Sequence, residues 1–121
     1  MTQKAVPLIR VPDVRSTIAW YQDIGFTLHQ TFEDEGEMNW ALLSFGESEV
    51  MFNAGGHSNR EVGRDLDLYA QVDDVDALYG QLKDRVEVEA EPYNAFHGMR
   101  EFIIRDPNGF SVIFGEPVQL S

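Results

Sequence analysis

The sequence predicts an α+β fold: one domain over 1–121, built from tandem β-α-β-β-β modules at about residues 5–53 and 65–116 with a linker at 54–64. Three observations predict it. The same succession of apolar runs, helical spacings and turn clusters occurs twice. Val11-Pro12-Asp13-Val14 overlies Val72-Asp73-Asp74-Val75 at a separation of 61 residues, and Val50-Met51-Phe52 overlies Val112-Ile113-Phe114 at 62. A chain of 121 residues, 43% hydrophobic and 25% charged, is also long enough to build a core without staples. Repetition has a physical purpose. A four-stranded sheet with one helix leaves its other face bare, and a second copy is expected to cover part of it and shape a concave surface.

In chain order, Ala5–Val11 is apolar and β-branched and reads as a strand. Asp13 offers a carboxylate to the first amides of a helix whose buried stripe is Val14, Ile18 and Tyr21, and Gly25 supplies the left-handed stop. Strands are expected at Phe26–Phe32, Asn39–Phe45 and Glu49–Asn53, separated by Glu33-Asp34-Glu35-Gly36-Glu37 and Gly46-Glu47-Ser48, both of turn composition. Residues 54–64 carry no apolar period and read as a connecting loop. The pattern then restarts, with a strand at Leu66–Val72, Asp74 as cap, and Val75, Leu78, Tyr79 and Leu82 as a helical stripe. Glu87–Glu91, Arg100–Arg105 and Ser111–Phe114 complete the second set, the last two joined by Asp106-Pro107-Asn108-Gly109. In that turn proline presets φ and glycine takes a positive φ.

Composition narrows the partners. Nine basic against 21 acidic residues give a net charge of −12, a field that repels phosphate backbones and anionic lipid. Nucleic acid and membrane surfaces are therefore excluded as expected partners, and a neutral or cationic small molecule is favoured. No segment approaches the ~20 apolar residues of a membrane helix, and no signal peptide is read, so a cytoplasmic setting is expected. The absence of cysteine removes disulfide, zinc-ribbon and thiolate chemistry together.

Five stretches stand out: Ala5-Val6-Pro7-Leu8-Ile9, Asp13-Val14 through Trp20-Tyr21, Ile24-Gly25-Phe26, Val72-Asp73-Asp74-Val75-Asp76, and Gly98-Met99-Arg100-Glu101-Phe102 with Arg105-Asp106-Pro107-Asn108-Gly109. In these the sequence resembles the vicinal oxygen chelate superfamily, which includes glyoxalase I, extradiol dioxygenases and bleomycin-resistance proteins. The last stretch is most similar to the bleomycin-resistance branch, with His97 where that branch has Trp. The resemblance implies a cupped sheet and a homodimer in which modules of both chains shape two equivalent clefts.

It also implies where a metal would be held: His, Gln or Glu from the first and last strands of each module, positions that fall here on Val6, Met51, Asp67 and Ile113. Val and Ile have no lone pair to offer, Met sulfur is soft, and one carboxylate is too few for a catalytic divalent ion. No metal site and no cofactor is therefore expected. Nucleophilic catalysis has no cysteine and no Gly-x-Ser-x-Gly elbow, and Gly55-Gly56 lacks the Lys and helix of a phosphate loop. No catalytic residue is assigned.

What remains is an aromatic, acidic surface. The resemblance places ligand-contacting aromatics at Phe32, Tyr69 and the His97 position; Glu33, Trp40, Met51, Asp67, Phe96 and Ile113 complete the candidate ligand-binding set. Asp67 and Tyr69 share a strand face by alternation. Trp40, Phe45, Phe52, Phe102 and Phe114 also read as core, and Phe32, Tyr69 and Phe96 stand evenly between core and binding wall. The resulting expectation is a metal-independent protein that binds, rather than transforms, a cationic or aromatic compound such as an antibiotic. The alternative is a metal-dependent lyase, isomerase or dioxygenase with a non-standard ligand set drawn from Asp67, His97 or Glu101. A ligandless dimerising module is the third reading.

Overall fold

In a computed structural model of the chain, residues 3–57, 65–95 and 98–118 are described. They form two compact units, Met1–Asn59 and Arg60–Ser121. Each is a four-stranded mixed sheet with one helix on one face, so the α+β class and the doubled β-α-β-β-β order are both present.

The first unit contains β1 (Leu8–Arg10), α1 (Val14–Asp23), β2 (Thr27–Asp34), β3 (Glu37–Phe45) and β4 (Ser48–Asn53), ordered β1-β4-β3-β2 in the sheet. Asp13 caps α1 by accepting the Ser16 N–H at 3.1 Å, and Gly25 turns the chain out at φ 115°. Val14, Ile18 and Tyr21 are buried on one side of α1, against Ala41 and Leu43 of β3 and Val50 and Phe52 of β4. Strand alternation then turns Leu42, Trp40, Met51 and Asn53 to the opposite face.

The second unit repeats the plan with β5 (Asp67–Gln71), α2 (Val75–Leu82), β6 (Glu87–Asn94), β7 (Met99–Arg105) and β8 (Ser111–Pro117), ordered β5-β8-β7-β6. Asp74 caps α2 through the Ala77 N–H at 3.0 Å. Phe102, Ile104, Val112 and Phe114 are fully buried beneath α2 with Val75 and Leu82. Among the described residues no helix is long and apolar enough to cross a membrane.

Most strand limits shift from the sequence reading, with β3 starting earlier at Glu37 and β8 running on to Pro117, and three of the shifts have a local reason. β1 is shorter than Ala5–Val11, three residues long, and pairs in parallel with β4 only across Leu8–Arg10; Pro7, just before it, has no N–H to give the ladder. β2 runs on through Glu33 and Asp34 because Asp34 pairs with Glu37 across a tight turn. In that turn Glu35 (φ 51°) and Gly36 (φ 80°) both adopt positive φ, the geometry that matches strand twist. β6 continues past Glu91 through Pro92 to Asn94; it is an edge strand with register shifts between Val88 and Tyr93, where proline is tolerated.

Candidate functional site

The face of the first sheet turned away from α1 is set by strand register. Phe32, Trp40, Asn53 and Arg10 fall on one rung, and Gln30, Leu42, Met51 and Leu8 on the next. Phe32 is 58% exposed and Leu8 45%, large apolar side chains that this unit leaves uncovered. Trp40 is half-buried, and its indole N–H donates to the Met51 sulfur at 3.2 Å. Phe32, Trp40 and Met51 are thus brought onto one surface. Glu33 is not: it follows a register shift and pairs with Arg15 of α1, on the helix side of the sheet. His29 is exposed and its Nε2 lies 2.6 Å from the Ser44 hydroxyl.

On the second sheet, the face turned away from α2 carries Asp67 and Tyr69 from β5, Ile113 from β8, and Glu101, Ile103 and Arg105 from β7. It has two chemically different ends. At one end Asp67 stands beside Ser111 on the ladder, and Arg105 pairs with Glu89 at 3.0 Å and Glu87 at 3.3 Å. At the other, the Glu101 carboxylate is 4% exposed and accepts two phenols, Tyr69 on Oε2 and Tyr93 on Oε1, both at 2.7 Å.

Three sequence features build this second end. Tyr69 reaches from β5 across β8 to Glu101 on β7 because position 115 is glycine; a methyl group there would overlap the phenol. The irregular register of β6 brings Tyr93 directly opposite Glu101. Alternation along β7 sends Glu101 to this face while Phe102 goes to the core. Tyr93, Glu101 and Gly115 stand outside the set chosen from sequence. The signal for them was the Gly98–Phe102 motif itself, whose glutamate, read only as a conceivable ligand in a non-standard metal set, is a polar residue at a core-like burial.

The phenols are held protonated. Burial of the hydroxyl end, then the Glu101 hydrogen bond and charge, push the Tyr69 pKa from 10.0 up to about 12. The Glu101 hydrogen bond first, then burial and charge, raise that of Tyr93. Because folding raises the Tyr69 pKa above its unfolded value, the stabilisation is complete below pH 10 and lost as pH rises through about 12. The unfolding midpoint in urea should therefore fall more steeply across that window for the wild-type chain than for Tyr69→Phe. Parallel curves would show that the hydroxyl is not held by Glu101.

For a metal, Asp67 and Glu101 do not converge. Asp67 is level with Ser111 and Glu101 with Gly115, a separation of four residues along the ladder, or ~13 Å. Val6 and Ile113 offer no donor atom. Among the described residues, the carboxylates of Asp74, Asp76 and Glu116 do lie within 4.8 Å of one another. Their oxygens serve the start of α2: Asp74 accepts the Ala77 N–H, Glu116 accepts the Val75 N–H at 2.8 Å, and Asp76 takes Arg100 in a two-pronged pair at 2.8 and 2.9 Å. The Arg100 guanidinium holds the Asp76 carboxyl below its ordinary range. That trio reads as helix capping. Phe96 and His97 lie outside the described residues.

The family profile described as Glyoxalase/Bleomycin resistance protein/Dioxygenase superfamily matches residues 5–114. No curated protein matches the chain in sequence. Among solved structures, a bleomycin-binding protein complexed with bleomycin is similar at TM-score 0.72 and 22% identity, covering 95% of this chain and 98% of that one. TioX from Micromonospora sp. ML1 is similar at 0.75 and 19%, covering 98% and 99%. A bleomycin resistance determinant encoded on the transposon Tn5 is similar at 0.73 and 23%, covering 98% and 100%. At these identities the likeness establishes the fold.

Proposed function

Since the chain belongs to the glyoxalase/bleomycin resistance protein/dioxygenase superfamily, we propose that it binds a planar aromatic small molecule, neutral or cationic, and sequesters it without a metal or a reaction. The observation that carries this reading is the exposed aromatic side chain that each unit presents on the sheet face turned away from its helix. In the first unit Phe32, 58% exposed, stands beside Trp40, and in the second Tyr69, 47% exposed, lies against the Glu101 carboxylate, in a protein of net charge −12. Stacking and cation–π contact contribute about 0.5–2 kcal/mol each, and a negative field raises the local concentration of a cation. Two structural neighbours are named for bleomycin binding or resistance, which supports an antibiotic of that kind as the ligand. Metal independence is supported by the donor chemistry of Val6, Met51, Asp67 and Ile113.

Titration calorimetry with bleomycin and with simpler planar cations tests the reading. Saturable binding is expected, weakened roughly 3- to 10-fold by Phe32→Ala. The same substitution, at an exposed site, should leave stability within about 0.5 kcal/mol of wild type. A flat trace for every compound would defeat the proposal. Metal analysis tests the other half: stoichiometric divalent ion retained through purification and lost with Asp67→Ala would favour an enzyme. The reading also takes the chain as a cytoplasmic homodimer, supported by open edges at β1, β2, β5 and β6 and checked by sedimentation.

A further inference from the structure

Tyr69 and Tyr93 each own one hydroxyl proton and two oxygen lone pairs. Both protons are committed to Glu101, at 2.7 Å in each case. What each phenol oxygen has left is acceptor capacity alone. The carboxylate that imposes this is buried, at 4% exposure, whereas the tyrosines are 47% and 36% exposed. A ligand at this face therefore meets two phenol oxygens and two ring faces, with a carboxylate behind them.

We propose that Tyr69 and Tyr93, converted to paired acceptors by Glu101, are the polar recognition element of the ligand site and select molecules bearing cationic N–H donors, such as ammonium or amidinium groups, over neutral and anionic ones. This rests on the small-molecule reading above and adds to it the group that decides affinity. An N–H cation gains two acceptors, the carboxylate charge and the quadrupole of the rings. A carboxylate or phosphate meets lone pairs of its own kind with no proton to share. A tie between strands would explain the hydrogen bonds, yet it does not require the phenols to remain this exposed. Gly115 strengthens the inference, because only an absent side chain lets Tyr69 cross β8 to share Glu101 with Tyr93.

The test uses the full-length protein and three acridines of one shape: 9-aminoacridine (a cation with N–H donors at neutral pH), acridine (neutral) and acridine-9-carboxylate (an anion). The wild-type chain should bind 9-aminoacridine about tenfold more tightly than acridine, and the carboxylate more weakly than either. Glu101→Gln places an amide N–H against one phenol and frees that phenol's proton. It should collapse the preference to threefold or less while acridine affinity stays unchanged. Tyr69→Phe and Tyr93→Phe keep the rings and remove one acceptor each; both should weaken 9-aminoacridine several-fold and leave acridine alone, which guards against a Glu101 variant that does not fold. Equal losses for charged and neutral probes, or an unaltered preference in all three variants, would overturn the proposal. Wild-type binding to acridine without the preference overturns it while the small-molecule reading survives. No binding to any probe removes both. If the tyrosine variants change the sedimenting mass and not the affinities, a second copy of the chain occupies the face, and the proposal fails.

Discussion

Asp106→Ala is expected to destabilise the protein by about 3–5 kcal/mol, read from urea unfolding. Its side chain is fully buried and organises the β7–β8 turn from within. Oδ1 accepts the Asn108 N–H at 2.7 Å and the Phe110 N–H at 3.3 Å, and Oδ2 accepts the Asn108 side-chain amide at 3.0 Å. Alanine takes the Asp106 carboxylate away from all three donors where Asn108 and Phe110 are 4% and 1% exposed, so little water can replace it. Each buried hydrogen bond lost in this way costs about 1–3 kcal/mol, and partial relaxation keeps the sum below simple addition. Asp106→Asn should cost less, about 1–3 kcal/mol, because one oxygen remains while an amide faces the Asn108 amide. A loss under about 1 kcal/mol for alanine would mean that the turn closes without its carboxylate. The turn also matters to the ligand face. It fixes the register that sets Gly115 opposite Glu101, and a slip of one residue would put another side chain in the path of Tyr69.

The doubled element order, both helix caps and the turn glycines at 25 and 109 were legible because each is a local event. An aspartate before a helical stripe, or a glycine after one, acts on its own few neighbours. The ends of β2 and β6 were not legible. They depend on cross-strand partners: Asp34 joins the ladder because Glu37 is there to meet it, and Pro92 is harmless because β6 is an edge. For the candidate site, alternation alone put Asp67 and Tyr69 on one face, and register then added Phe32, Trp40 and Met51 to a common face of the first sheet. Glu33 was grouped with Phe32 by adjacency, and adjacency in a strand sends neighbours to opposite faces. Tyr93 and Gly115 were invisible as partners of Glu101, since Tyr93 and Glu101 are 8 positions apart in sequence and meet only through strand register, and the role of Gly115 is an absence of atoms.

Phe102→Ala is expected to cost about 3–5 kcal/mol, and the two halves of the chain explain why the loss cannot be absorbed. Phe102 is fully buried, stacked on Phe114 at 5.1 Å and edge-on to Tyr79 at 5.4 Å. The corresponding cross-strand pair in the first sheet is Ala41 with Phe52. There the missing volume comes from the helix: Tyr21, the eighth residue of α1, lies against Phe52 at 4.8 Å. The eighth residue of α2 is Leu82, buried but with no ring. One unit therefore takes its aromatic bulk from the helix and the other from the strand, an exchange that keeps each interior filled at native density. Phe102→Leu, which keeps most of the volume, should cost about 1–2 kcal/mol. Leu82→Tyr alone overfills the second core, at about 1–3 kcal/mol. Combined with Phe102→Ala it recreates the arrangement of the first unit, and the double variant should be at least ~1 kcal/mol more stable than the sum of the single losses implies. Strict additivity in that cycle would show that the two positions do not share one volume, and that the resemblance between the cores is a matter of element order alone.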